Sequence, residues 1–294
     1  MRETTVQFGA DKALAGVVTD PAGDGNGIGV VFLNAGFTHH VGPQRLHVRL
    51  ARQLASCGFT CLRFDYSGIG DSPRRVGAKS FAERAVEEAS SAFDLLQQTR
   101  GLERFALFGI CWGADNAVRV AVSDHRVAGV VAVDFYAVMS TRYFLRFYLR
   151  RLLNPASWGN VFLGRSNVFT RLRELLGSLR KSGSGEAPDL GGGQAASADD
   201  LLPVLPPAQI LQDITALVAE RRVHMAFAYA TVGGSYDRYV IDFRGPMQEL
   251  SKTCPLRTRV FEESDHIFTL LHSQQALSEF VAEWASDLAS TTPG

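Results

Sequence analysis

The sequence predicts an α/β fold, with a mainly parallel β-sheet and helices on both of its faces. Short apolar runs alternate with amphipathic helical patterns over the first 135 residues, as expected for strands joined by crossover helices. These runs are apolar throughout, which is typical of strands covered on both sides. With 294 residues, 46% of them hydrophobic, the chain is long enough for one such domain and an added cap.

The first elements follow one another in that rhythm. Apolar runs predict strands at residues 28–33, 60–64, 105–108 and 127–133. A helix is predicted at 44–56, where leucines recur at four-residue spacing. A second helix begins after Ser80 and runs towards Thr99, because Ser80 and Glu83 form a capping-box pattern.

The alternation then stops and later resumes, which predicts an insertion. We expect a helical lid at about residues 139–222, between core segments 1–138 and 223–294. Within it, residues 182–207 are rich in Gly, Ser, Ala and Pro, a composition that predicts a flexible segment. A helix is predicted at 207–220 and strands at 223–230 and 257–261. A C-terminal helix at 274–289 completes the pattern.

The pentapeptide Gly109-Ile110-Cys111-Trp112-Gly113 follows directly on the apolar run 105–108. It has the G-x-S-x-G spacing of a nucleophile elbow, with cysteine in place of serine. At such an elbow a strand turns sharply into a helix and exposes the middle side chain. Cys111 is therefore the candidate nucleophile, although a cysteine without this context is more often a core residue.

A cysteine nucleophile needs a base, and the base needs a group that orients it. His266 is the candidate base, since it follows the last predicted strand, where open α/β sheets place their sites. Asp237 is the candidate acid, because it follows a glycine-containing bend after the strand at 223–230. Asp242 is its nearest competitor, and Asp134, at the end of the strand at 127–133, is the other alternative.

Backbone amides are expected to hold the oxyanion. One donor is the residue after the nucleophile, Trp112. The other is expected from the loop after the strand at 28–33, where we favour Phe37, with Gly36 letting the backbone turn inward. His39 and His40 follow this loop and either line the pocket or form an exposed pair. Further along, Asp65 and Asp71 are expected to fix a turn.

Composition excludes several classes of function. The chain has 30 basic and 30 acidic residues, which argues against a general nucleic-acid binder. No apolar run approaches the ~20 residues of a membrane helix, and the N-terminus lacks the apolar centre of a signal peptide. The four cysteines form no C-x-x-C pair and no zinc spacing. We expect a cytoplasmic protein without a metal or an organic cofactor.

With these motifs in place, the chain resembles the α/β-hydrolase superfamily over nearly its whole length. Residues 34–72 (NAGFTHHVGPQRLHVRLARQLASCGFTCLRFDYSGIGDS) resemble exosortase-system-associated hydrolases and their relatives in biosynthetic clusters, and so does the stretch 143–164. The resemblance implies an eight-stranded core sheet, a helical lid and a triad of Cys111, Asp237 and His266. It does not specify a substrate, because this fold hosts many chemistries.

The sequence thus predicts an esterase or thioesterase that works through a covalent acyl-enzyme. Because that intermediate is a thioester, an acyltransferase or cyclase acting on a carrier-protein or CoA thioester is an alternative. Residues 141–181 contain nine basic residues against one acid, Glu174. These charges are either a solvated helix face or a docking surface for an acidic carrier protein or CoA. A hydrolase-like binding protein without activity is the non-enzymatic alternative.

Overall fold

The computed structural model describes residues 1–75, 79–135, 205–232 and 234–291. Its centre is one eight-stranded sheet of strand order β1-β2-β4-β3-β5-β6-β7-β8, which confirms the predicted mainly parallel α/β architecture. β1 and β2 are antiparallel to each other, β2 is antiparallel to β4, and the pairs from β4 to β8 are parallel. The strands are β1 (Arg2–Phe8), β2 (Leu14–Asp20), β3 (Ile28–Phe32), β4 (Thr60–Phe64), β5 (Arg104–Ile110), β6 (Val127–Val133), β7 (His224–Val232) and β8 (Leu256–Asp265).

The described helices lie between and after these strands. They are α1 (Leu46–Ser56), α2 (Phe81–Arg100), α3 (Trp112–Ser123), α4 (Pro207–Thr215), α5 (Gly234–Arg238), α6 (Arg244–Leu250) and α7 (Leu271–Ser290). Short 3₁₀ turns stand at Ala10–Lys12 and Pro43–Arg45, and π-helical turns at Ala216–Glu220 and Tyr239–Phe243. α2 begins as predicted: Ser80 and Glu83 cap each other, and Gly101 ends the helix in a left-handed conformation with φ 67°.

The antiparallel hairpin of β1 and β2 was not predicted from the sequence. β1 is the edge strand of the sheet, and only Phe8, at its end, is buried. A strand of this kind carries no apolar run, so the pattern that indicates the central strands is missing.

The core lies in two layers, one on each face of the sheet. Along β5, Phe105 and Leu107 belong to the layer that contains side chains of α2 and α3. Ala106, Phe108 and Ile110 belong to the layer with α1 and α7. Successive side chains of a strand point to opposite faces, so a strand that is buried on both must be apolar at every position. This is why the central strands could be located from the sequence.

The C-terminal part of the predicted insertion packs with the core. Ile210 and Ile214 of α4, with Leu217 and Val218 after it, are buried in the layer formed with α2 and α3. The described part of the predicted insertion, from residue 205, belongs to the same compact unit as the sheet. The basic stretch at 141–181 lies outside the described residues. So do residues 182–204 of the segment that was predicted to be flexible.

None of the described helices has both the length and the apolar content needed to cross a bilayer.

Candidate active site

Cys111 stands at the sharp turn between β5 and α3. Its backbone has φ 55° and ψ −119°, a combination that residues with a side chain rarely adopt and that costs on the order of 1–3 kcal/mol. Strain of this size persists where the surrounding structure enforces it, and it clusters at functional sites. The elbow predicted from the pentapeptide is therefore present in the structure.

The two glycines of the pentapeptide make this turn sterically feasible. A Cβ on Gly109 would lie 2.1 Å from the backbone of Gly113, and one on Gly113 would lie 2.8 Å from the carbonyl oxygen of Asn34. Both contacts are with backbone atoms, which cannot rotate away. The first glycine thus lets the start of α3 fold back onto β5, and the second lets the loop after β3 approach the elbow.

His266 lies in the loop after β8 and faces the elbow. Its Nδ1 is 2.7 Å from Oδ2 of Asp134, and its interaction with the side chain of Cys111 contributes to raising the pKa of the imidazole. Asp134 directly follows β6, its side chain is wholly buried, and its Oδ1 accepts the amide of Ala230 at 2.9 Å. Cys111, His266 and Asp134 therefore form a continuous chain of side chains.

These contacts change the protonation of the histidine. The hydrogen bond with Asp134 and, second, the interaction with Cys111 raise the pKa of His266 to about 10, against a smaller opposing effect of burial. Burial raises the pKa of the Asp134 carboxyl, and its hydrogen bond with His266 counteracts that effect only partly. Because its pKa is raised to about 10, His266 is in the imidazolium form at neutral pH, where its charge is stabilised by the neighbouring Asp134.

The structure pairs His266 with one of the two alternative acids, Asp134, and not with the favoured Asp237. The carboxylate that contacts His266 belongs to Asp134, whereas Asp237 is exposed on α5. Asp237 lies within α5, which begins at Gly234, shortly after β7 ends at Val232. Asp242 lies still further along, in the π-helical turn. The available signal was that Asp134 ends the strand next to the elbow strand, since the ends of neighbouring parallel strands lie close together.

The two residues predicted to bind the oxyanion are brought together. Thr38 N donates to the Ala35 oxygen at 3.1 Å, which closes a turn over Gly36 and Phe37, and the φ of 58° at Gly36 suits glycine. Trp112 is the first residue of α3, where helix amides have no intrahelical acceptor. The rings of Phe37 and Trp112 lie 5.3 Å apart, edge to face.

The histidine pair beyond this turn is engaged with acids. His40 Nδ1 lies 2.8 Å from Asp65 Oδ2, and His39 Nε2 lies 3.0 Å from Asp71 Oδ2. His40 is buried and His39 is half-buried, so the two histidines do not form the exposed pair that the sequence allowed as an alternative. The four residues place one donor atom each within 4.8 Å of one another, a set that could hold a cation.

The hydrogen bonds within this group account for its geometry without a metal. Asp65 Oδ1 accepts Asn34 Nδ2 at 2.8 Å and His40 N at 2.6 Å. Its Oδ2 accepts His40 Nδ1 and the amide of Asp71, the latter at 3.1 Å. An ionised carboxylate offers about four lone-pair sites, and all four have protein donors. Asp65 fixes the turn that follows it, as the sequence predicted.

Comparison with known proteins agrees with this fold. The family model described as the α/β hydrolase fold matches residues 29–273, and the chain belongs to that family. No curated protein matches the chain significantly in sequence. Solved structures that share the fold at low sequence identity include the following three.

The first is the α/β hydrolase GrgF from Penicillium sp. sh18, with TM-score 0.64 and 16% identity over 99% of this chain and 100% of that one. The second is XC6422 from Xanthomonas campestris, described as an α/β serine hydrolase without a lid. Its TM-score is 0.52, with 13% identity over 100% of this chain and 98% of that one. The third is the naproxen esterase of Bacillus subtilis, with TM-score 0.54 and 12% identity over 96% of this chain and 90% of that one. At these identities the likeness concerns the fold alone.

Proposed function

We propose that this protein is an α/β hydrolase that cleaves an ester or thioester through a covalent bond to Cys111. One observation carries the proposal: Cys111 occupies the strained elbow and raises the pKa of His266, whose Nδ1 lies 2.7 Å from Oδ2 of the buried Asp134. A nucleophile, a base and a group that orients the base are the elements of acyl transfer. Within this family, residues 34–72 support a relationship to exosortase-system-associated hydrolases and their biosynthetic-cluster relatives.

In the first half of the reaction, the thiolate of Cys111 attacks the carbonyl carbon of the substrate. The carbon–sulfur bond forms as the carbonyl π electrons move to oxygen, and the amides of Phe37 and Trp112 donate to that oxyanion. When the tetrahedral intermediate collapses, the bond to the leaving oxygen or sulfur breaks. The leaving group takes the proton of the His266 imidazolium.

In the second half, the neutral His266 accepts a proton from water as the water oxygen attacks the acyl-enzyme. Collapse of this intermediate releases the carboxylic acid and restores the thiolate and the imidazolium. Asp134 keeps the imidazole ring oriented and stabilises its charge throughout, without taking up a proton itself.

The cysteine favours a thioester as the substrate. Exchange of one thioester for another is nearly thermoneutral, whereas forming the acyl-enzyme from an oxygen ester is uphill. The same intermediate reacts well with amines, so transfer of the acyl group to an amine or alcohol is the second candidate. In that case the basic residues at 141–181 are the proposed docking site for a carrier protein or for CoA. A non-catalytic binding protein is the remaining alternative, and the strained elbow disfavours it.

Intact-protein mass spectrometry tests the proposal. The protein is mixed with hexanoyl-N-acetylcysteamine, and we expect one added hexanoyl group that is absent in Cys111→Ala and strongly reduced in His266→Ala. Cys254→Ala is the matched control, because Cys254 is a partly buried thiol outside the site, and it should be acylated like the wild type. If the wild type carries no acyl group and turns over no thioester, the proposal is wrong.

The acceptor is read from the same reaction. Discharge of the acyl-enzyme in buffer alone to give hexanoic acid indicates a hydrolase. An acyl-enzyme that persists in buffer and is discharged by an added primary amine, with formation of the amide, indicates an acyltransferase.

A further inference from the structure

The loop that carries Phe37 is held at both of its ends by one carboxylate. Asn34, at its beginning, donates Nδ2 to Asp65 at 2.8 Å, and His40, at its end, donates its amide at 2.6 Å. Both bonds are made to Oδ1. Asp65 itself lies beyond β4 on a different segment, so a single buried side chain joins two loops.

Asn34 extends this attachment into the middle of the loop. Its Nδ2 also donates to the carbonyl oxygen of Thr38 at 2.9 Å, next to Phe37. Its Oδ1 accepts the amide of Tyr66 at 2.9 Å. The loop is thus tied to the turn after β4 by side chains that are themselves fully bonded, which fixes the position of the Phe37 amide.

The turn after β4 is built around the same carboxylate. A Cβ on Gly70 would lie 2.2 Å from Asp65 Oδ2, and Gly70 has φ 50°, so only glycine fits there. The Asp65 side chain is fully buried. Burial acts to raise its pKa, but the hydrogen bonds from His40, Asp71 and Asn34 together outweigh that effect and hold the pKa below its ordinary value. The group is therefore an anion at neutral pH.

We propose that Asp65 is a positioning residue for acyl transfer, because it sets the Phe37 amide where the oxyanion develops. This inference rests on the proposed function, and it adds a residue that lies outside the Cys111–His266–Asp134 chain. Asp65→Asn keeps the size of the side chain but replaces one acceptor oxygen by an amide nitrogen. The N–H donors of that amide would then face either the donors that bind Oδ1 or those that bind Oδ2, so the loop must shift.

Two reactions of Cys111 distinguish positioning from general stability. Alkylation by iodoacetamide needs the thiolate but forms no oxyanion. Acylation by hexanoyl-N-acetylcysteamine needs the thiolate and also forms an oxyanion that must be stabilised. In Asp65→Asn we expect alkylation within about twofold of the wild type and acylation slower by about 10²-fold, the loss that a misplacement of about 1 Å produces. Asp71→Asn is the matched control: its side chain is exposed, and its partner among the described residues is His39, so both rates should stay near wild type.

Other results overturn the inference. Equal rates of acylation in Asp65→Asn and wild type, or equal losses in both reactions with an unchanged circular dichroism spectrum, would do so. Loss of wild-type acylation in EDTA, restored by Zn²⁺, would also overturn it by making Asp65 a metal ligand. If Asp65→Asn does not fold, Asn34→Ala removes the same attachment from the other side and should separate the two rates in the same way. A wild type that is not acylated at all contradicts the proposed function instead.

Discussion

Nδ1 of His266 lies 2.7 Å from Oδ2 of Asp134, a residue 132 positions earlier in the chain. The two side chains meet because β6 and β8 both end at the same edge of the sheet, on either side of β7. In the proposed mechanism this pairing makes Asp134 the group that orients His266, the proposed base.

The first prediction concerns which acid acts. Asp134→Asn should lower kcat for a thioester by about 10²-fold or more with a folded protein, since an asparagine at this place stabilises the wrong tautomer of the imidazole and not the imidazolium. Asp237→Asn should leave kcat near wild type, because Asp237 is exposed on α5. Steady-state kinetics of the two variants decides between them, and the reverse order of effects would restore Asp237 as the acid.

The second prediction concerns the charge of His266. Its folded pKa is raised from 6.5 to about 10, so the stabilisation from its partners is complete below pH 6.5 and is lost as the pH rises towards 10. In Asp134→Asn the largest cause is removed, and the pKa should fall. NMR titration of the imidazole Cε1–H measures both values. A wild-type His266 that titrates near 6.5 would contradict the imidazolium assignment.

The third prediction tests the packing of the elbow. Gly113→Ala places a Cβ 2.8 Å from the Asn34 carbonyl, so the loop or α3 must move. We expect a loss of about 1–3 kcal/mol in the free energy of unfolding and slower acylation. Gly245→Ala is the control, because nothing lies within 4 Å of its Cβ, and alanine at that helical position should be neutral or slightly stabilising. Urea unfolding compares them; equal stabilities would show that the elbow tolerates a side chain.

The fourth prediction concerns acid stability. His47 of α1 is fully buried beside Phe32 and Phe108. Burial, with a further contribution from the charge of Arg63, lowers its pKa from 6.5 to about 3. The unfolded chain therefore binds a proton at pH values where the folded protein does not, and stability should fall as the pH drops from 6.5 towards 3. The slope is at most about 1.4 kcal/mol per pH unit.

Replacing His47 isolates its part in this slope. His47→Leu cannot be protonated, so the difference between its stabilities at pH 7 and pH 5 should be smaller than in the wild type. Urea unfolding at the two pH values measures that difference. An identical pH dependence in both proteins would show that His47 does not contribute to acid sensitivity.

The central strands and the sharp turn at Cys111 were predictable because their signals are local. β5 is buried on both faces and is therefore apolar at successive positions, and the glycines around Cys111 are required within five residues of one another. The edge hairpin was missed because β1 is almost entirely exposed. Its pairing with β2 depends on backbone hydrogen bonds, which leave no apolar pattern in the sequence.

The sequence by itself determined the parallel α/β core, the elbow at Cys111 and the histidine at position 266, since each follows from a short pattern that one kind of backbone satisfies. Only the tertiary structure decided that Asp134 is the partner of His266, and that Asp65 joins the two loops beside the elbow. Both choices depend on which strand ends become neighbours. Three aspartates follow β6 or β7 closely enough to be candidates for the His266 partner, and only the three-dimensional path of the chain after each strand distinguishes them.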